Sequence, residues 1–364
     1  MSKNSIFDKF SAQRQADPDG MHTDFIGVRT SMEFGCFSNP GLVEQMPPVD
    51  EDYLEWIDIL ESADYAKDRF VMVELGAGYG RWGVRGALAA RQAGIKDIFI
   101  GFAEAEPVHV KWLKQHAANN GLRDDEFHLY EAAVSDKDGS VDFYVAMPDG
   151  SEGNNPAAWY GQAKAKDYEV VASQDVRGKH SAGQTHATQS AESELYEGHR
   201  VKTFATGWKA VEVRQMAANS VLRDFEVIDL LDMDVQGEEV KIVAGAVDEL
   251  CARVKRLHIG THSREIEYEL YQILSKLGWK CLRAYPCGSL TKTPYGDVQF
   301  VDGMQTWLNP RLLPVDDFEV EQVNVPEKPE PAEGQEAASN ASGQQGLLIG
   351  IKSRIKSLFG RKAA

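Results

Sequence analysis

The chain has 364 residues, of which 43% are apolar, and a formal net charge of −17 at pH 7. This composition suits a large α/β core, and no apolar run is long enough to cross a bilayer. The acidic balance argues against a nucleic-acid duplex as partner, because affinity for phosphates comes from clustered lysines and arginines. Four cysteines without C-x-x-C spacing and the absence of a signal peptide predict a cytoplasmic protein with reduced thiols.

Residues 1–69 are predicted to form an N-terminal arm and a helix. Residues 22–30 mix aromatic, basic and hydroxyl side chains, which fits either a lid over an active site or an ordinary packed arm. Residues 50–66 carry apolar side chains at helical spacing and predict an amphipathic helix that leads into the first strand.

Residues 71–83, VMVELGAGYGRWG, predict an apolar strand that ends in an acid and is followed by a glycine turn and a helix. Gly76, Gly78 and Gly80 allow positive φ and the close approach of a ligand. The loop fits S-adenosylmethionine, but Gly78-x-Gly80-x-x-Gly83 also satisfies the dinucleotide fingerprint of a nicotinamide-dependent oxidoreductase. The register favours the first interpretation, because the first glycine of a dinucleotide loop should follow the strand directly.

The next strand is predicted at residues 97–103, after a helix at 81–93, and Glu104 closes it. An acid at the tip of this second strand can accept hydrogen bonds from both hydroxyls of a ribose. Glu104 could instead be an ordinary solvated carboxylate. Its place at the carboxyl end of a central strand favours a role in cofactor binding. A further helix is predicted at residues 108–119.

Residues 151–200 are polar and contain too few apolar side chains to order themselves. This insertion could fold over the acceptor as a lid, with Trp159 and Tyr160 in contact, or remain a disordered loop. His180 and His186 lie in a polar stretch without neighbouring cysteines, which is weak evidence for a metal. The sequence predicts no metal site.

The chain after residue 200 is predicted to complete the sheet. The predicted elements are a strand within 227–239, a helix at 240–255, a strand at 256–260, a helix at 261–276 and a last strand within 296–309. This order puts His262 at a strand tip in the same crevice as Asp234, so that either side chain is a candidate base toward a hydroxyl. His258, inside its strand, is predicted to be a core residue.

The glycine loop, Glu104, residues 131–143 and residues 227–239 together closely resemble the FkbM family of S-adenosylmethionine-dependent methyltransferases, over roughly residues 70–310. The corresponding family strand reads approximately Asp-Leu-Leu-Lys-Ile-Asp-Val-Glu-Gly-Ala-Glu. This alignment places the functional aspartate of the family on Asp234 and its last acid on Glu239. The chain differs from the pattern at Gln236, where the family usually has Glu, and at Asp232, where Lys is common.

The resemblance implies a class I methyltransferase over residues 70–324: a Rossmann-like, seven-stranded, mostly parallel sheet with helices on both faces. It implies that Glu74 and the glycine loop hold the methionine part of S-adenosylmethionine and that Glu104 binds the ribose. The acceptor would be a hydroxyl of a sugar, of a glycan or lipid head, or of another small metabolite. A non-catalytic scaffold with the same fold is an alternative, against which the intact motif residues argue.

Residues 325–345 are rich in Pro, Glu, Ala, Gly and Ser, which predicts a disordered linker. Beyond it, residues 346–364 carry five basic residues, no acid, and apolar side chains at helical spacing. This pattern predicts a basic amphipathic helix that could lie on the inner face of a membrane or bind an acidic partner. Docking onto the acidic domain and a simple solubilising tail are the other interpretations.

Overall fold

The computed structural model describes residues 6–11, 20–36, 39, 41–146, 164–165, 187–188, 194–204 and 209–329. Its α-helices are α1 (Glu51–Tyr65), α2 (Arg81–Gln92), α3 (Pro107–Asn119), α4 (Ala218–Arg223), α5 (Glu239–Gly245), α6 (Val247–Arg253) and α7 (Arg264–Lys276). Its strands are β1 (His22–Thr23), β2 (Arg29–Thr30), β3 (Arg69–Leu75), β4 (Asp97–Glu104), β5 (Phe127–Glu131), β6 (Ala133–Ser135), β7 (Gly139–Ala146), β8 (Ala187–Thr188), β9 (Leu195–Tyr196), β10 (His199–Phe204), β11 (Lys209–Ala217), β12 (Ile228–Met233), β13 (Val254–Thr261), β14 (Lys280–Tyr285), β15 (Ser289–Thr293), β16 (Gly296–Phe300), β17 (Gly303–Leu308) and β18 (Gln322–Val323).

The central sheet has the strand order β18-β14-β17-β13-β12-β3-β4-β5. The strands from β13 to β5 are parallel, and β17 runs antiparallel between β13 and β14. Seven of these strands correspond to the predicted sheet, and the two-residue β18 adds a short parallel edge. The order reverses at β3, which leaves a crevice at the carboxyl ends of the strands. The predicted class I architecture is therefore confirmed.

Both faces of the sheet are covered by helices, as the sequence predicts. Strand β3 shows why, because its side chains alternate between the two faces. Phe70 and Met72 join a core with α1, α2 and α3, whereas Val71 and Val73 join a second core with α4, α5, α6 and α7. Helix α1, which belongs to the predicted N-terminal arm, thus shares the first core with the sheet.

Two predicted elements in the second half differ from the structure. The single helix predicted at residues 240–255 is two helices, α5 and α6, because Ala246 leaves helical geometry with φ −113° and ψ 20°. Gly245 precedes this break, and a Cβ on it would lie 3.3 Å from Cα of Asp136. The last predicted strand, within 296–309, is also two strands, since β16 pairs with β15 in a hairpin and β17 enters the sheet.

A second sheet borders the central one and is built on β11. This strand pairs antiparallel with β7 and β10 and parallel with β6. The polar insertion at 151–200 falls between β7 and β10, and of it the structure describes residues 164–165, 187–188 and 194–200. Trp159, Tyr160, His180 and His186 lie outside the described residues, so the lid interpretation stays a prediction.

The predicted linker is described only to residue 329, and the predicted tail helix at 346–364 lies outside the described residues. Among the helices that the structure does describe, none is long and apolar enough to cross a membrane.

Candidate functional site

A cavity of about 580 Å³ lies at the carboxyl ends of β3, β4, β12 and β13. One side is formed by the glycine loop at residues 76–79 together with Glu104. A second part of the lining, here called the acidic wall, includes the carboxylates Glu51, Asp52, Glu55, Asp232 and Asp302. This is the position at which open α/β sheets bind ligands.

The glycine loop has the register that the sequence predicts for S-adenosylmethionine. Strand β3 ends at Leu75, so Gly76 follows it directly. Gly76, Gly78 and Gly80 have φ of 79°, 55° and 75°, a region that favours glycine. The loop can therefore turn from β3 into α2 without strain.

The reason why a glycine is needed differs among these three positions. A Cβ on Gly76 would lie 1.7 Å from the backbone oxygen of Asp234, and one on Gly80 would lie 3.1 Å from Cγ of Leu113. Close packing within the protein thus accounts for these two positions. Gly78 lines the cavity, and its N–H donates to Glu104 Oε2 at 2.6 Å. Gly78 is therefore the glycine at which a side chain would most directly oppose a ligand.

Glu74 lies at the junction between the loop and α2. Its oxygens accept hydrogen bonds from the N–H groups of Trp82 (3.1 Å) and Gly83 (2.8 Å) at the positive end of that helix. Burial and the charge of Asp232 raise the pKa of Glu74. The carboxylate borders the cavity and fixes the loop, and its direct contact with the cofactor stays a prediction.

Glu104 borders the cavity at the tip of β4. Its Oε1 accepts hydrogen bonds from the N–H groups of Ala105 (2.8 Å) and Glu106 (2.7 Å), which fixes the carboxylate beside the glycine loop. Burial raises the pKa of Glu104 to about 7, although these N–H donors oppose the shift. A cavity of this size, with Gly78 and an acceptor carboxylate in its lining, fits a nucleoside ligand.

The role of Glu104 predicts a pH-dependent affinity for S-adenosylmethionine. Ribose hydroxyls bind the ionised carboxylate best, so affinity should rise as pH increases through about 7. Glu104→Gln should weaken binding at pH 8 by about 1.5–3 kcal/mol, the range for a hydrogen bond to a charged group. The affinity of this variant for S-adenosylmethionine should vary less between pH 6 and 8 than that of the wild type. Calorimetry at several pH values measures both effects.

Glu106 provides the control for this prediction. Burial also raises its pKa to about 7, and its carboxylate caps α3 by accepting from His109 N–H at 2.7 Å, but it does not line the cavity. Glu106→Gln should bind the cofactor with nearly wild-type affinity. Equal losses in the two variants would argue for a general loop effect and against ribose recognition by Glu104.

The structure brings Asp234 and His262 together, as the sequence predicts. His262 Nε2 lies 3.1 Å from Asp234 Oδ1, and its Nδ1 lies 2.7 Å from Glu239 Oε1. The amide of Gln236, which is in the left-handed region with φ 52°, lies 3.1 Å from the same Asp234 oxygen. Four side chains that follow β12 and β13 thus form one hydrogen-bonded group.

Within this group, Asp234 is better placed than His262 to act as a base. Asp234 lines the cavity with a side chain that is 55% exposed, whereas His262 is buried and does not line it. Burial opposes charge on the imidazole, but the carboxylates of Glu239 and Asp234 outweigh it and raise the pKa of His262 well above its ordinary value. The two carboxylates therefore favour the charged form of His262. The catalytic roles of both residues stay predictions.

Sequence reasoning missed a second group at the acidic wall. His258, predicted to be a core residue, is buried, yet it also lines the cavity and pairs with Asp58 through Nδ1 at 2.8 Å. His258, Asp232 and Glu55 each have one potential metal-ligand atom, and these three atoms lie within 4.8 Å of one another. Glu55 and Asp58 are three residues apart on α1, and this spacing of acids was the available signal.

Comparisons with known proteins identify the family of this chain. The model of the methyltransferase FkbM domain matches residues 90–281, which is more than half of the chain. A protein from Jannaschia sp. (strain CCS1), named "Putative methyltransferase", is 26% identical over 281 residues, covering 74% of this chain and 86% of that protein.

Solved structures show weaker similarity. The crystal structure of methyltransferase FkbM from Methylobacillus flagellatus KT has a TM-score of 0.37 at 9% identity. That match covers 69% of this chain and 53% of the other, so this chain spans about half the length of that protein. An O-methyltransferase from Bacillus cereus in complex with SAH has a TM-score of 0.34 at 10% identity, covering 72% and 82% of the two chains.

The family assignment rests on the domain match and not on these distant structures. The domain match includes β4, β12 and β13. It also includes most of the cavity-lining residues that follow α2 in the chain. The chain belongs to the FkbM family of methyltransferases and is an S-adenosylmethionine-dependent enzyme.

Proposed function

We propose that this enzyme methylates a hydroxyl group of a sugar, of a glycan or lipid head, or of another small polyhydroxylated metabolite. The observation that supports this is the acidic wall, which lines the same cavity as the glycine loop. Carboxylates accept hydrogen bonds from O–H groups, and a protonated carboxyl also donates one, so this wall suits a hydroxylated acceptor. Burial raises the pKa of Glu51 to about 7 and that of Glu55 well above its ordinary value, so the wall offers both states near neutral pH.

Bound S-adenosylmethionine supplies a methyl group on a positively charged sulfur. The acceptor hydroxyl has to lose its proton at about the time the new bond forms. Asp234 is available for this proton because its carboxylate opens into the cavity. Partial burial favours its neutral form, but the hydrogen bond and charge of His262 prevail and lower the pKa of Asp234, so it is ionised at neutral pH.

The chain's other contribution is positioning. Glu104 accepts a hydrogen bond from Gly78 N–H in the glycine loop, Glu74 accepts one from Gly83 N–H at the start of α2, and His262 fixes the carboxylate of Asp234. These contacts pre-arrange the glycine loop and the base at the strand tips. Alignment of this kind is the largest contribution that an enzyme can make to a simple displacement at a methyl group.

Isotope labelling tests the nature of the acceptor. The full chain should be incubated with cell extract and S-adenosylmethionine that carries a heavy-isotope methyl group, and labelled products identified by mass spectrometry. We expect a labelled methyl ether, which survives mild alkali and disappears when hydroxyls are acetylated beforehand. Gly78→Val, which places a side chain in the cavity, is the inactive control. A label on an amine, or on an ester that alkali cleaves, would contradict the proposal.

A further inference from the structure

The strongest unexplained feature of the cavity is the group formed by Glu55, Asp232 and His258. Asp232 and His258 are register partners on the neighbouring parallel strands β12 and β13, and Glu55 reaches them from α1. All three line the cavity, and one donor atom from each lies within 4.8 Å of the other two. We propose that these three side chains bind a divalent metal ion.

The histidine has the arrangement of a metal ligand. Its Nδ1 is engaged by Asp58 Oδ2 at 2.8 Å, which leaves Nε2 as the available nitrogen. Asp58 is itself fixed by Arg256 Nη1 at 3.0 Å and Arg283 Nη1 at 2.6 Å. A carboxylate behind the imidazole is the usual partner of a metal-binding histidine, since it fixes the tautomer and the orientation of the ring.

Asp232 provides the independent indication that a ligand is missing. Its side chain is only 2% exposed, and within the described residues no N–H or hydroxyl donates to Oδ1. The neighbour that pairs with this carboxylate is Glu55, itself a carboxyl, which can donate only while it is protonated. The register partner of Asp232 on β3, Glu74, is satisfied by N–H groups of α2, which do not serve Asp232. A buried carboxylate oxygen without a donor is costly, and a bound cation would remove that cost.

The charges around the group also favour a cation. Glu55, Glu74 and Asp232 all border this part of the cavity, and Arg81, which lines it as well, pairs with Asp52. A third carboxylate beside two ligands attracts a positive ion and repels an anion. The imidazole and carboxylate donors suit a first-row divalent ion such as Mn²⁺ better than Ca²⁺.

Three side chains would leave coordination positions open toward the cavity. An acceptor hydroxyl could fill one of them and thereby become more acidic. This last role rests on the proposed O-methylation. Binding of the ion does not, so the two can fail separately.

Titration with Mn²⁺ tests the site without cofactor or acceptor. The full chain should be freed of metal with a chelator, dialysed and titrated while electron paramagnetic resonance records unbound Mn²⁺. We expect one tightly bound ion per chain. Asp232→Asn and Glu55→Gln should each weaken Mn²⁺ binding by more than about tenfold. Losing a residue that only hydrogen-bonds to a metal ligand already has an effect of about this size, and losing a ligand should have a larger one.

Asp302→Asn is the matched control, because it removes one negative charge from the same acidic wall outside the group of three. Its affinity for Mn²⁺ should stay within a few-fold of the wild type. Thermal melting supplies a second readout, since Mn²⁺ should raise the melting temperature of the wild type and of Asp302→Asn only. No tight binding by the wild type, or equal binding by all variants, would overturn the proposal.

Discussion

Replacing Asp58 with alanine should lower the free energy of unfolding by about 3–5 kcal/mol, the usual cost of removing one partner from a buried ion pair. Asp58 is fully buried in α1 and contacts Arg256, Arg283 and His258. Alanine would leave these side chains without their shared carboxylate in a region that water does not reach. Urea denaturation followed by tryptophan fluorescence measures the difference.

Glu61 offers the matched control. Its carboxylate contacts the same two arginines, at 2.7 Å from Arg256 and 3.2 Å from Arg283, but its side chain is 31% exposed. Glu61→Ala should therefore cost about 1 kcal/mol or less, because water screens the remaining charges. Equal losses in the two variants would contradict the assignment of Asp58 as the centre of this cluster.

The stabilisation by Asp58 should depend on pH on both the acid and the alkaline side. Burial opposes its charge, but the charge of Arg283 and the hydrogen bond of His258 prevail, so its pKa lies below the ordinary value of 3.8. A lowered pKa stabilises the folded state above the unfolded value, and this stabilisation is lost as pH falls toward the folded value. On the acid side, the difference between wild type and Asp58→Ala should thus shrink below pH 3.8. Burial opposes the charge of His258, but Asp58 raises the pKa of His258 above 6.5, so a further part of the difference should be lost at alkaline pH as the imidazole loses its proton.

The first half of the sheet could be predicted closely from the sequence because its signals are local. The helices predicted at 81–93 and 108–119 are observed at Arg81–Gln92 and Pro107–Asn119. Apolar periodicity and the glycine that follows each helix are enough to place them. The same reasoning joined residues 240–255 into one helix, because the close contact of Gly245 with Asp136 is not visible in the local pattern.

The acidic wall could not be predicted in this way. Glu55, Asp232 and Asp302 come from distant parts of the chain, and only the packing of α1 on the sheet brings them into one cavity. The sequence assigned His262 to the crevice and His258 to the core, whereas in the structure His258 lines the cavity and His262 does not. His258 lies in β13 and pairs with Asp58, whereas His262 follows β13 and pairs with Glu239. These partners come from distant parts of the chain and are not visible in the local sequence.

Asp234→Asn should lower turnover by about 10² to 10⁴, the contribution of a positioned general base, while the affinity for S-adenosylmethionine changes little. Asparagine has nearly the same shape, so the backbone contact of residue 234 with Leu75 (3.0 Å) should survive. Turnover with the acceptor identified by labelling, together with calorimetry for the cofactor, measures the two effects. Near-wild-type turnover would mean that positioning alone carries the reaction.

His262→Gln separates a positioning role of His262 from a direct one. The hydrogen bond and charge of His262 lower the pKa of Asp234, so their loss should raise that pKa. The acid limb of the pH–rate profile should then move to higher pH, with turnover largely recovered on the alkaline side. A histidine that takes the proton itself would instead leave the variant slow across the profile until the acceptor hydroxyl ionises unaided. Because His262 contacts Asp234 and Glu239 and does not line the cavity, we expect the first result.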